Sequence, residues 1–332
     1  MKLLVTGGAG FIGSNFIHYI LGQHQDWEIT NLDKLTYAGN LENLQAIQNK
    51  PSYHFINGDI ADRQMVDSIV NKGFDVVVNF AAESHVDRSI MDASPFIETN
   101  IKGTQTLLDA AMKYRIQRYL QVSTDEVYGS IDEGYFTETS PLDPSSPYSA
   151  SKASADLLCL SYYKTHGLPV LITRCTNNYG PYQFPEKLIP LVITNAMENK
   201  AIPVYGDGRN RRDWIYVEDH CRAIEVVILK GRIGQIYNIA GGQEKPNLEL
   251  IKLLLNTMSK PETLITFVKD RPAHDRRYAI DCSKITKELG WEPTYSIGKA
   301  MQTTVNWYLQ NESWWRRIKS GEYAEYYKKM YQ

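Results

Sequence analysis

Residues 2–13, K-L-L-V-T-G-G-A-G-F-I-G, decide the fold of this chain. Lys2–Val5 predicts a short strand, and Gly7, Gly10 and Gly13 lead into a helix expected from Phe11 to about Gly22. Glycines so placed allow a tight turn and a close backbone approach, so a pyrophosphate can rest on the helix N-terminus. A second strand, Glu28–Leu32, ends in Asp33, twenty residues beyond Gly13. An acid at that distance is the usual acceptor for a ribose 2′-hydroxyl. Strand, glycines, helix, strand and acid in this order predict a bound dinucleotide. Asp33 favours NAD over NADP, although its neighbour Lys34 is a cation that could tolerate a 2′-phosphate.

The alternation continues outward. Tyr53–Asn57 reads as a strand ending in G-D-I, with Asp59 and Ile60 placed to touch an adenine edge. Asp75–Asn79 is a β-branched run suited to a strand buried on both faces. It opens into F-A-A-E-S-H, where Ala81 and Ala82 let backbone approach a cofactor and Ser84 and His85 can reach substrate. A lone loop histidine carries no acid–base assignment here. One long helix is expected over Ser94–Tyr114, then a strand at Tyr119–Val122, a helix from Tyr148 to about Thr165 and a strand at Pro169–Thr173. The fold class predicted is α/β, a Rossmann-type doubly wound parallel sheet with a smaller mixed α/β substrate-binding domain.

After Arg174 the chain becomes rich in proline, amides and aromatics, which places a boundary near Cys175. The segment P-V-Y-G-D-G-R-N-R-R-D-W, 203–214, predicts a glycine-turn hairpin. Trp214–Val217 and Val226–Ile239 are expected to return to the main sheet, followed by helices at Leu248–Met258 and Ile297–Leu309. The domains expected are 1–175 plus about 214–240 for the dinucleotide, and about 176–213 plus 241–332 for the substrate. Two arginine clusters (Arg209, Arg211 and Arg212; Arg271, Arg276 and Arg277) lie in the second, flanked by aromatics. Guanidinium suits bidentate phosphate contacts, so an anionic ligand is expected there. The Trp314–Tyr331 segment reads as a packing helix.

Composition narrows the class. The chain has 332 residues, 43% apolar and 22% charged, with a net charge of −2, so no global field argues for nucleic acid or a membrane surface. Cys159, Cys175, Cys221 and Cys282 form neither a disulfide framework nor a metal pattern, which suits a reducing cytoplasm. The N-terminus has no signal-peptide core, and no apolar run approaches the roughly 20 residues that span a bilayer.

The chemistry is expected at V-S-T-D-E-V-Y, 122–128. Strand ends are where open α/β sheets place their sites, and here stand Thr124, Asp125 and Glu126. Tyr148 and Lys152 are spaced i, i+4, so a cation can lie beneath a phenol. With a nicotinamide charge nearby, that cation would lower the ordinary phenol pKa of about 10. Adjacent carboxylates resist double ionisation, so one can stay an acid. Hydroxyl, acid pair, phenol and ammonium together suit multi-step proton chemistry on a polyhydroxylated substrate.

T-G-G-A-G-F-I-G, D-K-L-T-Y-A-G-N, S-T-D-E-V-Y-G, Y-S-A-S-K, N-N-Y-G-P-Y-Q-F-P-E-K-L-I-P, G-x-x-x-R-D-W and R-P-A-H-D-R-R-Y resemble the dTDP-glucose 4,6-dehydratase family of extended short-chain dehydrogenase/reductases. The resemblance covers nearly the whole chain. It implies that Asp125 is the proton donor, Glu126 the base and Tyr148 with Lys152 the redox pair, while Thr124 hydrogen-bonds the sugar. Phe11, Ile12, Asp33, Lys34, Leu35, Thr36, Asp59, Ile60, Phe80, Ala81, Ala82, Ser84, Thr99, Tyr148, Lys152 and Asn178 would line NAD. Ser84, Asn177, Lys187, Leu188, Pro203, Val204, Tyr205, Arg212, Asn247, Asp270, Arg271, Pro272 and His274 would line the nucleotide sugar. It also implies a homodimer through the helices near Ser94–Tyr114 and Ser149–Thr165, and no metal. Thr176, Gln183 and Ala273 depart from the usual Ser, His and Gly, which touches substrate preference rather than the reaction. A 4-epimerase of the same scaffold needs the Tyr–Lys pair without the acid pair. A GDP-mannose 4,6-dehydratase lacks the preceding Asp, and a non-catalytic NAD sensor typically loses the Tyr or Lys.

Overall fold

The computed structural model describes residues 1–270 and 274–321. Its organising layer is a seven-stranded parallel sheet in the order β11-β6-β5-β4-β1-β2-β3. In chain order these are β1 (Lys2–Thr6), β2 (Glu28–Asp33), β3 (Tyr53–Asn57), β4 (Val76–Asn79), β5 (Arg118–Thr124), β6 (Val170–Cys175) and β11 (Ile236–Ile239). Side chains alternate across a strand, and the two faces feed different cores. Leu3, Val5, Val76, Val78 and Leu120 pack with Phe16, Ile17 and Ile20 of α1 (Phe11–Gln23) and with α8 (Val217–Lys230). Leu4, Val77 and Tyr119 face the other way, onto α2 (Arg63–Val70), α5 (Thr104–Lys113) and Cys159 of α6 (Pro147–His166). Sequence order therefore reverses at β1 and β4, and the crevice beyond their carboxyl ends is where such sheets bind ligands.

A separate apolar cluster joins α7 (Leu188–Met197), α9 (Asn247–Thr257), α11 (Ile297–Gln310) and α12 (Glu312–Ser320). Trp314 and Trp315 of α12 are buried in it, so this part of the expected terminal helix packs. The remaining helices are α3 (Val86–Met91), α4 (Ser94–Phe96) and α10 (Ser283–Leu289).

Three expectations are corrected. The 203–214 segment does not fold back on itself. Gly206 and Gly208 do turn the chain, at φ 57° and 69°. However, β8 (Ile202–Tyr205) pairs parallel with β13 (Ile265–Val268), and β9 (Arg211–Arg212) pairs antiparallel with β12 (Lys245–Pro246). Second, β10 (Trp214–Tyr216) pairs with β7 (Asn177–Tyr179) outside the main sheet, and Val226 lies within α8; only β11 rejoins the sheet, beside β6. Third, the helix expected over Ser94–Tyr114 is interrupted by a π-helical stretch, Ile97–Gly103, between α4 and α5. A side chain at Gly103 would meet Ile60 at 2.5 Å, so glycine is what lets this turn approach the β3 loop. Among the described residues no helix is long and apolar enough to cross a membrane.

Candidate active site

Gly7 adopts φ +69°, and a Cβ there would stand 2.6 Å from the amide nitrogen of Ala81. A Cβ on Gly13 would stand 2.4 Å from the Gly7 carbonyl. Only glycine lets the loop pass this closely between the ends of β1 and β4 and the start of α1. Gly10 caps α1 without a side-chain hydrogen bond, so the first-turn N–H groups keep their capacity for an anion. The Asp33 carboxylate is fixed beside this loop, accepting from the Ala9 amide through Oδ2 and the Leu35 amide through Oδ1, each at 2.8 Å. Burial raises its pKa while those two amides hold it down. Lys34 is drawn aside: its Nζ stands 2.7 Å from Asp59 Oδ2, which answers much of the charge that could have welcomed a 2′-phosphate. This cradle, a fixed acid and an uncapped helix start fit a dinucleotide.

The cleft continues to the end of β5. Thr124 Oγ1 accepts from the Glu126 amide and donates to Asp125 Oδ1, both at 3.2 Å, so the acid pair leaves the strand in a short 3-10 turn, Asp125–Tyr128. Asp125 is buried, and its Oδ2 has no hydrogen-bond partner among the described residues. Burial, then the neighbouring Glu126, pushes its carboxyl well above the usual range. The Ser146 side chain caps α6, with Ser149 answering it, and this start delivers Tyr148 to the cleft. Lys152 follows on the same face, but its Nζ donates to the Val122 carbonyl at 2.7 Å. Burial lowers the Lys152 pKa, with Asp156 opposing. The Tyr148 phenol is pushed well above 10 by burial and then by Glu126. Burial and Glu126 are thus what the combined charges of Lys152 and a nicotinamide have to oppose.

One cleft gathers Gly7, residues 10–13, Asp33, Lys34, Thr36, Asp59, Ile60, residues 80–84, Thr99, residues 124–126, Tyr148, Lys152, Asn177, Asn178 and Lys187. Leu35 instead packs on the apolar core, as Leu188 and Val204 do on the second cluster. Pro203, Tyr205, Arg212, Asn247, Asp270 and His274 lie outside the lining of this cleft. Arg271 and Pro272 fall outside the described residues. His274 Nδ1 pairs with Asp270 Oδ1 at 2.5 Å, and Tyr205 stands edge-on to the His274 ring at 6.0 Å. Arg212 nevertheless reaches the chemistry electrostatically, since its charge acts on Asp125.

A family model described as GDP-mannose 4,6 dehydratase matches residues 4–304. The chain is 51% identical over 328 residues to a dTDP-glucose 4,6-dehydratase of Streptomyces niveus, covering 98% of this chain and 97% of that one. It is 55% identical over 312 residues to the low-salt glycan biosynthesis protein Agl12 of Haloferax volcanii, covering 94% and 100%. Among solved structures, the dTDP-glucose 4,6-dehydratase DesIV of Streptomyces venezuelae, crystallised with NAD, superposes with a TM-score of 0.94 at 50% identity, covering 96% and 100%. This chain belongs to the dTDP-glucose 4,6-dehydratase family. A UDP-glucuronic acid 4-epimerase of Bacillus cereus shares the fold at TM-score 0.88 and 29% identity, covering 93% and 99%.

In this chain the arginine clusters divide by their partners. Arg276 is bidentate to Asp207, and Arg277 is bidentate to Glu244, which also takes Arg211. Arg212 donates to the carbonyls of Arg211 and Asp275 and lies 4.1 Å from the Tyr278 ring centre. Tyr278 feels the charges of Glu126 and Arg212, so it belongs to the acid-pair surroundings, and sequence reading passed over it. It also passed over Tyr37, Phe184 and Glu186, which line the same cleft as the acid pair. The Tyr37 ring lies 3.9 Å from the Arg88 guanidinium and stands edge-on to Phe184 at 5.5 Å. These residues lie within the motifs D-K-L-T-Y-A-G-N and Y-Q-F-P-E-K, but an aromatic within a motif does not declare which wall it faces.

Proposed function

We propose that this chain is a dTDP-glucose 4,6-dehydratase that converts dTDP-glucose to dTDP-4-keto-6-deoxyglucose and water. The single observation carrying this is the buried acid Asp125 with Glu126 beside it, sharing one cleft with Tyr148 and Lys152. NAD, held by the glycine loop, Asp33, Asp59 and the 80–84 segment, supplies reversible hydride acceptance when bound. Tyr148 withdraws the C4 hydroxyl proton, and the positive charges of its surroundings must offset the burial that resists phenolate formation. The 4-ketone that results acidifies C5–H. Glu126 takes that proton, and Asp125, kept protonated by burial and by Glu126, gives one to the departing C6 hydroxyl. Thr124 holds the sugar near the acid pair, and Arg212 supports the diphosphate side. The first domain, 1–175 with about 214–240, serves the cofactor; about 176–213 with 241–332 serves the nucleotide sugar.

Two further assignments belong to the same reading. The product enters deoxysugar synthesis of the dTDP-rhamnose type in the cytoplasm. The enzyme works as a homodimer, and Ile97 and Leu157, more than half exposed on neighbouring helical segments, support an apolar contact there.

Substrate carrying deuterium at C4 tests the reading. Elimination across C5 and C6 leaves C6 as the electrophilic position, so the product carries the label at C6. An epimerase returns it to C4, and a simple dehydrogenase loses it to solution; either outcome in the mass spectrum overturns the dehydratase reading.

A further inference from the structure

Asp156 follows Lys152 by four residues and Tyr148 by eight, so the three side chains share one face of α6. Asp156 is fully buried and does not line the cleft. Its Oδ2 accepts from Arg174 Nε on β6 at 2.8 Å, and its Oδ1 has no hydrogen-bond partner among the described residues. Arg174 is 2% exposed, and its guanidinium lies 4.8 Å from the Tyr128 ring centre. Tyr128 closes the turn that begins with Asp125, and its hydroxyl donates to Asn238 Oδ1 at 2.9 Å. A buried ion pair thus joins the helix of Tyr148 and Lys152 to the turn of Asp125 and Glu126.

Stability is a weak reason for such a pair. Desolvating both charges can cost as much as their attraction returns, and apolar residues of similar volume often do as well. We propose that Asp156 and Arg174 are positioning residues for the dehydration: they lock the acid-pair turn to the redox helix and place a counter-charge beneath Lys152. The proposal rests on the dehydratase reading above. The groups that act on Lys152 are Asp156 and Cys159 on its own helix and Cys175 at the end of β6. Burial pushes both thiols up, Cys175 to about 12, so they stay neutral at working pH. The counter-charge therefore falls to Asp156. Tyr128, through Arg174, extends the same lock to the far side of the acid pair.

Two variants test this. Asp156→Asn removes the anion and strands Arg174, so it also lowers thermal stability. The double change Asp156→Leu with Arg174→Met removes both charges and leaves none stranded. Without the anion, Lys152 loses its proton at lower pH and supports the Tyr148 phenolate less. The acid limb of kcat should then move to higher pH by about one unit. In both variants kcat should fall by more than about tenfold while KM for dTDP-glucose stays within about threefold, as for an interaction used in the transition state. In the double variant Tm should stay near the wild-type value. The amine signal of Lys152 in 15N-lysine-labelled protein should titrate lower, independently of turnover.

Wild-type kcat and pH profile in the folded double variant would reduce the pair to structural support. Should that variant not fold, Asp156→Glu and Arg174→Lys keep both charges and displace them. They should lower kcat at unchanged KM with the acid limb in place, and unaltered kcat in both overturns the proposal. A wild-type enzyme that makes no 4-keto-6-deoxy product sinks the dehydratase reading itself, whatever the variants do.

Discussion

The ammonium of Lys152 donates to the Val122 carbonyl at 2.7 Å, pinning the redox helix to the strand that ends in the acid pair. Lys152→Met leaves that buried carbonyl unpaired, which costs about 1–3 kcal/mol, and takes a cation from the cleft that Tyr148 also lines. Turnover should fall by about 10²–10⁴-fold, the range for a proton-transfer group, with a lower Tm in the same protein. Wild-type turnover with lowered Tm would leave the lysine a structural role only.

Asp125 ties stability to pH in a definite direction. Its pKa is raised in the fold, so between the unfolded value of 3.8 and the folded one the native state holds a proton that the unfolded chain has lost. Wild-type stability should therefore decline as pH rises through that window, by about 1.4 kcal/mol per unit for one group. Asp125→Asn cannot ionise. Its Tm should match wild type near pH 4 and exceed it increasingly toward neutrality, while dehydration is lost. A constant Tm difference across this range contradicts a protonated Asp125.

Oxidation and elimination should separate at Glu126. In Glu126→Gln the Tyr148 step remains, so adding dTDP-glucose should still raise the reduced-cofactor absorbance. Exchange of the C5 hydrogen with deuterated water should drop by about 10²-fold or more. Exchange at the parent rate removes Glu126 from the base role.

The cofactor recovered by acid release should be mainly NAD. Asp33 is held rigid by two amides and Lys34 is engaged by Asp59, so a 2′-phosphate meets an anion with little compensation. Gly7→Ala should abolish recovery of any dinucleotide, because its Cβ collides with the backbone at Ala81. Mainly NADP in the wild-type supernatant overturns the role given to Asp33.

The parallel sheet was legible because both of its signals are local. Val76–Val78 is apolar for a strand covered on both sides, and Gly7, Gly10 and Gly13 mark a turn whose sterics admit little else. The second half was less so because its partners are remote. Ile202 meets Ile265, and Arg212 meets Lys245, so a glycine turn at 206–208 spoke for a hairpin that the pairing did not make. The arginines pose the same difficulty. Composition cannot say that Arg276 faces Asp207 and Arg277 faces Glu244 while Arg212 turns toward Tyr278 and the acid pair. The acid pair and the Tyr–Lys spacing could be read, but the pull of burial on the phenol could not, since it depends on how much protein covers Tyr148.

The π-helical stretch Ile97–Gly103 makes this helix intolerant of being tidied. It carries one residue more per turn than the flanking α-helix, and the surplus turns Thr99 to the cleft. Asn100 meanwhile exchanges two hydrogen bonds with the Glu83 backbone and gives a third to Ser151 of α6. Deleting a single residue here would restore regular helix and rotate everything after it by about 100°. Asn100 would lose the cofactor-side loop and the redox helix together. Length in this segment is thus under the same restraint as the chemistry, and homologous chains that conserve the reaction should differ here by substitution and not by indel.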